Sequence, residues 1–306
     1  MQERFFPEGI LIHTLENERA LCSLGALEKT MQTQRIVEAK AILCDSDFNL
    51  IFDFNGIRGV MPRSEVAVCE AGNEIRDIAV LTRVGKAVCF VIDSLQTDSL
   101  GTVAYLSRRK AQKQCLCEYL DHLEDKDVLR AKVTHFEPFG CFCDIGCGIV
   151  SLLSIDCISV SRISHPSDRF RIGEGIYAAV RGRDEILLGE RGRISLTHKE
   201  LLGTWEENAS LFSVGQTVAG IVRSVEDYGV FIELTPNLAG LAEYRDGLEI
   251  GQTAAVYIKN ILPQKMKVKL VLVDCSCGEK QRNKLKYFIT EGNVAHWRYA
   301  PEGCIK

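Results

Sequence analysis

The sequence has no apolar run long enough to cross a bilayer. Its longest, such as Ile145–Ile149 and Leu270–Val273, fall far short of the ~18 residues that a spanning helix needs. The N-terminus, Met-Gln-Glu-Arg-Phe-Phe-Pro, lacks a basic stretch followed by an apolar one, so no secretory leader is expected. An excess of positive charge is also missing. Lys and Arg number 37 against 41 Asp and Glu, a formal net charge of −4. This excludes a uniformly basic polyanion binder but leaves room for a local cationic surface. The signatures of catalysis are missing too: no Gly-rich phosphate loop, no His-x-x-x-His, no nucleophile elbow. Asp144 and Glu233 recur at one position, but neither has a second acid beside it, and each reads as flanking a strand turn. No catalytic residues, no enzyme activity and no cofactor are expected.

Cysteine, by contrast, is plentiful. There are 13, an odd number, set inside apolar runs such as Val88-Cys89-Phe90 and Cys141-Phe142-Cys143. A disulfide framework would place them at turns with regular spacing. They read instead as reduced core thiols of a cytoplasmic protein. Cys275-x-Cys277, with His296 and Cys304, lacks the Cys-x-x-Cys spacing of a metal site, and no bound metal is expected. A chain of 306 residues that is 46% hydrophobic can build two or three packed domains.

The organisation shows as a repeat. Asp47-Phe48-Asn49-Leu50-Ile51-Phe52-Asp53-Phe54, Pro138-Phe139-Gly140-Cys141-Phe142-Cys143-Asp144-Ile145 and Asp227-Tyr228-Gly229-Val230-Phe231-Ile232-Glu233-Leu234 share one pattern. Each reads aromatic, turn residue, then an alternating strand with an acid at the same place. The aromatics Phe48, Phe139 and Tyr228 lie 91 and 89 residues apart. A second anchor follows each first: Val84-Gly85, Ile172-Gly173 and Ile250-Gly251. A third closes each unit: Val103–Arg109, Arg193–Lys199 and Lys267–Val273. Gly140 and Gly229 permit positive φ, and Asn49 is the next best residue for that conformation, so one backbone shape accounts for all three. The third unit is shorter, as if it lacks the insert between its third and fourth strands. Five short strands per ~70 residues predict a small Greek-key barrel. Helices are expected over Ser107–Leu123, over Thr197–Phe212, and from Asn17 onward in the opening segment, with Leu21, Leu24, Leu27 and Met31 on one face.

These motifs resemble the S1 RNA-binding domain, a family with the oligonucleotide-binding (OB) barrel fold. Three copies in one chain are similar to the ribosomal protein S1 family. The resemblance covers about residues 35–273 and is best in the middle unit. It implies an all-β protein of three tandem five-stranded OB barrels with helical connectors. The division would be an N-terminal helical segment (1–34), a diverged first barrel (35–110), a connector (111–126), a second barrel (127–199), a connector helix (200–213), a short third barrel (214–273) and a tail (274–306).

In this family RNA lies across strands 2 and 3, where two aromatics around the Gly stack on bases. A His follows strand 3, and an Arg starts the last strand. Carried over by position, the aromatics are Phe139 and Phe142 in the middle unit, Tyr228 and Phe231 in the third, and Phe48 alone in the first, where Ile51 replaces the partner. Arg193 holds the strand-5 position, with Lys267 near it in the third unit. The His position holds Pro62, Ser154 and Glu243. Alternation places Phe142 opposite Cys141 and Cys143, hence outside the barrel if the thiols are inside. A base on such an exposed ring is worth ~1–3 kcal/mol. Arg58 is a phosphate candidate among the cations of the first two units. His165, on the insert after strand 3, either replaces the missing His or stabilises a turn.

The function expected is single-stranded RNA (mRNA) binding in a ribosome-associated role in translation, with the small ribosomal subunit as a candidate partner. The alternative is a protein-docking or regulatory module of an RNA-processing or degradation complex, using Glu243, Asp246, Glu249 and the apolar tail. No membrane partner is expected.

Overall fold

The computed structural model describes residues 4–68, 75–99, 101–183, 193–276 and 282–300. Among them, no helix is long and apolar enough to cross a membrane. The chain opens with two short helices, α1 (Leu15–Leu21) and α2 (Leu24–Gln32). The sequence reads as one helix here. It breaks because the Ser23 hydroxyl accepts from Ala26 N and starts a second N-terminus, as Thr14 does for α1. Of the four residues expected on one face, Leu27 is fully buried and Leu24 is exposed.

The first unit has six strands: β1 (Val37–Lys40), β2 (Leu43–Cys44), β3 (Leu50–Phe54), β4 (Ile57–Met61), β5 (Ala87–Asp98) and β6 (Gly101–Ser107), in the order β1-β5-β6-β4-β3-β2. β1 and β2 are halves of one broken strand. One half pairs with β5 and the other with β3. Across the break, Ala41 N donates to Lys86 O and Ile42 N to Ile51 O. Inside, the Phe52, Phe54 and Phe90 rings pack at 5.4–6.4 Å between centroids.

The other two units are closed five-stranded barrels. β7 (Val128–Glu137), β8 (Gly140–Asp144), β9 (Val150–Ser154), β10 (Gly175–Arg183) and β11 (Ile194–Thr197) form one. β12 (Thr217–Glu226), β13 (Gly229–Thr235), β14 (Leu238–Ala242), β15 (Thr253–Leu262) and β16 (Lys267–Ser276) form the other. In both, the third and fifth strands run parallel and the remaining pairs antiparallel. The fold is thus all-β, of OB-type barrels. The insert expected to be missing from the third unit is indeed short: β14 and β15 are joined by residues 243–252, whereas residues 155–174 join β9 to β10.

The connectors do more than link. After the short α3 (Asp77–Leu81) of the first unit comes α4 (Arg108–Glu118). Its Ala111 and Cys115 are buried with Cys89 and Val91 of β5 in one cluster with the middle barrel's core. The helix expected over Thr197–Phe212 is a 3₁₀ turn (Lys199–Leu202) and a short α5 (Trp205–Ala209). Gly203, at φ 84°, separates them, and a Cβ there would sit 2.7 Å from the Phe288 ring.

Residues 282–300 form neither helix nor strand, yet they are held along the second and third barrels. Phe288 N donates to Leu201 O, Val128 N to Gly292 O, Trp205 N to Tyr299 O, and the Tyr299 hydroxyl to Asn237 O. The Tyr287 hydroxyl lies 3.0 Å from Nε2 of buried His198, whose Nδ1 is 2.7 Å from the Ile158 carbonyl. A carbonyl only accepts, so Nδ1 carries the hydrogen and Nε2 accepts from the tyrosine. Burial drives this His down to about 4, and the nearby Arg169 charge adds to the effect.

The N-terminal strap joins the first two units. The Glu8 carboxylate is buried, accepting from Arg108 Nε at 2.6 Å, Arg83 at 3.2 Å and Cys89 N at 3.2 Å. Burial pushes its pKa up, but the Arg108 and Arg83 charges outweigh that and hold it below the usual carboxylate range. Its neighbour Glu38 accepts from Gly9 N and Ile12 N. Among the described residues Glu38 has no salt-bridge partner; burial, with Glu8's charge adding, raises it to about 7. The fold therefore binds a proton between about pH 4.5 and 7 that the unfolded chain releases, and stability falls as pH rises through that window. Glu38→Gln should flatten this slope: in urea melts at pH 5 and 7.5, wild type should lose about 2–3 kcal/mol more than the variant. Equal slopes would refute a proton held at Glu38.

Candidate nucleic-acid interface

On the middle barrel, strand alternation turns Cys141 and Cys143 fully inward and Phe142 outward. A bulge in β7, between Val133 and His135, sets His135 directly opposite Phe142. On the other side Phe142 faces Leu152 of β9, which pairs with Ser195 of β11. One row, His135–Phe142–Leu152–Ser195, thus crosses four strands. Phe139 stands in the turn just before β8, three residues from Phe142, and is 53% exposed. Its ring is perpendicular to Phe142, at 89° and 6.3 Å between centroids. Arg193 is exposed and directly precedes β11, two residues before Ser195. Gly140 is required between the aromatics, because a Cβ would collide with the Leu153 carbonyl oxygen.

The third barrel repeats this geometry. Tyr228 is 69% exposed and meets Phe231 at 87° and 6.2 Å. A Cβ on Gly229 would collide with the Ala242 carbonyl oxygen. A bulge between Val222 and Ser224 again sets the register, giving the row Ser224–Phe231–Leu241–Lys269. Lys267 lies two residues before Lys269, the position Arg193 holds before Ser195, and both lysines are exposed.

The first unit differs. The left-handed residue of its turn is Phe48 itself, at φ 61°, not Asn49 as the repeat suggests. The Asp45 carboxylate explains the shift. It accepts from Asn49 Nδ2 and from the backbone N–H groups of Asp47 and Asn49, bending the chain one residue early. These hydrogen bonds, from Asn49 first, lower its pKa. Phe48 is half-buried against the core, and the Arg63 guanidinium covers its ring at 5.0 Å. The equivalent row is Leu43–Ile51–Val60–Tyr105. Arg58 is exposed and faces Asp53 in register.

His165 is engaged in its own turn. Its Nδ1 accepts from Ser167 N at 3.2 Å and lies 2.7 Å from the Ser167 hydroxyl, and its ring meets Phe136 edge-on at 5.7 Å. Sequence reasoning passed over three residues of these rows: His135, Lys269 and Tyr105. Only pairing register places them on the rows: His135 lies outside the repeated motifs, and Tyr105 and Lys269 lie inside the closing anchor, whose pattern does not say what they face.

The recurring acids do structural work. Asp144 does flank a turn, accepting from Gly146 N and Gly148 N, and also from Glu8 N. Burial, with the Glu8 charge beside it, raises it to about 6. Glu233 is different from the expectation: it is inside β13, buried between Arg169 and Arg223. Among the described residues no group of three or more His, Cys, Asp or Glu could hold a metal ion. Cys277 and Cys304 of the tail motif lie outside the described residues.

No protein-family model matches the chain. It is 28% identical over 242 residues to small ribosomal subunit protein bS1 of Leuconostoc lactis, covering 76% of this chain and 52% of that protein. It is 28% identical over 260 residues to the bS1 homolog of Bacillus subtilis, covering 80% and 64%. The chain thus spans less than two thirds of the length of these curated relatives. A solved structure, a multidomain protein with nucleic acid binding domains from Streptococcus pneumoniae, is 15% identical, covers 79% of this chain and 74% of its own, and has a TM-score of 0.24.

Proposed function

We propose that this chain, a ribosomal protein S1-like protein, binds single-stranded RNA without catalysis, as a cytoplasmic factor that holds mRNA in translation. One observation carries the reading. Two barrels present the same perpendicular aromatic pair, one ring in the turn before the second strand and one on that strand, within a row whose last strand carries an exposed cation. Bases stack on exposed aromatics whatever their identity, and cations along the row neutralise phosphates. Tandem modules raise apparent affinity through effective concentration, so each can be weak. A net charge of −4 is compatible with this, because stacking supplies much of the affinity.

The tail counts against the docking alternative, because Tyr287, Phe288 and Tyr299 already pack or hydrogen-bond within the chain. The test is titration of a labelled ~15-nucleotide single-stranded RNA at two salt concentrations, beside a DNA duplex of the same length. The expected result is micromolar or tighter binding of the single strand, weaker at high salt, with the duplex bound less well. A well-folded protein that leaves the single strand free would overturn the reading.

A further inference from the structure

Beside the middle barrel's aromatic row lies an open cleft of about 550 Å³, between the first and second barrels. Arg83 and Lys86, from the turn before β5, form one wall. Lys132, Thr134, His135 and Val150 form the other. The two features are continuous. His135 is the register partner of Phe142, and the Thr134 hydroxyl donates to the Phe142 carbonyl at 3.0 Å. The cleft therefore begins where the aromatic platform ends.

Its charges are sorted by depth. The acids, Glu8 and Asp144, are buried in the floor. Glu8 is matched by Arg108 and Arg83, and Asp144 is covered by backbone N–H groups. The opening instead carries exposed Lys86 and half-buried Lys132, with exposed His135, whose Nε2 lies 3.1 Å from the Glu137 carboxylate, at its edge. Lys132 is held in place by a 2.7 Å bond from its ammonium to the Glu8 carbonyl. An ammonium that bonds a neutral carbonyl keeps its full charge for a second partner. The mouth is cationic, and two exposed apolar side chains, Val150 at 54% and Ile172 at 62%, lie beside it. That pairing suits a sugar–phosphate strand rather than a peptide or a small apolar ligand.

We infer that this cleft is a second RNA subsite, taking the phosphodiester backbone of the strand as it leaves the Phe139–Phe142 platform, with Lys86, Lys132 and His135 as its contacts. The inference rests on the RNA-binding reading and adds the path of the strand. It makes the first barrel a contributor through Lys86, although its own aromatic position is diverged.

The test compares oligouridines of 4 and 12 nucleotides on the full chain. Lys86→Glu should weaken the 12-mer at least fivefold at low salt and flatten its salt dependence, because single strands lose a slope of ~0.7 per phosphate contact. Lys86→Ala should give a smaller change in the same direction. The 4-mer, held by the platform, should bind both variants as it binds wild type. Lys113→Glu, an equal charge change on the exposed side of α4, should shift neither by more than twofold. Should Lys86→Glu match Lys113→Glu while Phe142→Ala still weakens the 12-mer, the cleft is not a subsite and RNA binding stands. Should wild type bind neither oligomer, both proposals fall.

Discussion

Replacing Phe139 and Phe142 together by alanine should weaken binding of a ~15-nucleotide single-stranded RNA by tenfold to a thousandfold. Each stacked base is worth about 1–3 kcal/mol, so two lost stacks approach about 2–6 kcal/mol. The observed loss should be smaller than that sum, because the third barrel still tethers the strand. The corresponding change in the third barrel, Tyr228→Ala with Phe231→Ala, should also weaken binding, and the quadruple variant should lose more than either pair. Stability should change little on the Phe139 side, since that ring is half in solvent and fills no cavity. A melting curve near wild type thus separates lost binding from lost fold. If all three variants kept wild-type affinity, the aromatic rows would not be the RNA face.

The order of strands was legible because the repeat carries it. Gly140 and Gly229 could be read from the aromatic-Gly-x-aromatic pattern, and the structure supplies the cause: a carbonyl of the next strand occupies the space a Cβ would need. The orientation of Phe142 followed from alternation alone, with Cys141 and Cys143 as its buried neighbours. Other parts were hidden for specific reasons. Asn49 looked like the left-handed residue, but the Asp45 carboxylate turned the chain one step earlier, at Phe48. His135 and Lys269 are placed on the rows by bulges and pairing register, which a single sequence does not display. Glu8 meets Arg108 across 100 positions of chain and Glu233 meets Arg169 across 64, so these two partnerships leave no local signal.

Glu233→Gln should destabilise the chain by about 3–5 kcal/mol, the cost of removing one member of a buried ion pair. The carboxylate accepts five hydrogen bonds: Arg169 at 2.6 and 2.9 Å, Arg223 at 2.7 and 3.2 Å, and Asn283 at 2.8 Å. The side chains of Glu233 and Arg169 are fully buried. The amide keeps the shape but leaves two buried guanidiniums without a counter-charge. Replacing Glu233, Arg169 and Arg223 together by Leu, Met and Met should recover much of the loss, because no buried charge is then stranded. Wild-type stability should also respond to acid. Burial raises the Glu233 pKa, but Arg169 and Arg223 hold it below the usual range. The unfolded chain therefore takes up the proton first, and this contribution, intact above about pH 4.5, is lost as pH falls through the lower folded value. Arg169 belongs to the second barrel's insert, Glu233 to the third barrel and Asn283 to the tail, so the network fixes these three parts together. Glu233→Gln should then weaken a long RNA that spans both aromatic rows while leaving a 4-mer bound as before, since only the effective concentration of the second row changes. Urea melts and the two titrations measure both effects on one sample. A loss of stability under 1 kcal/mol would mean that the arginines find water or other partners, and that the barrels are held by their apolar contacts instead.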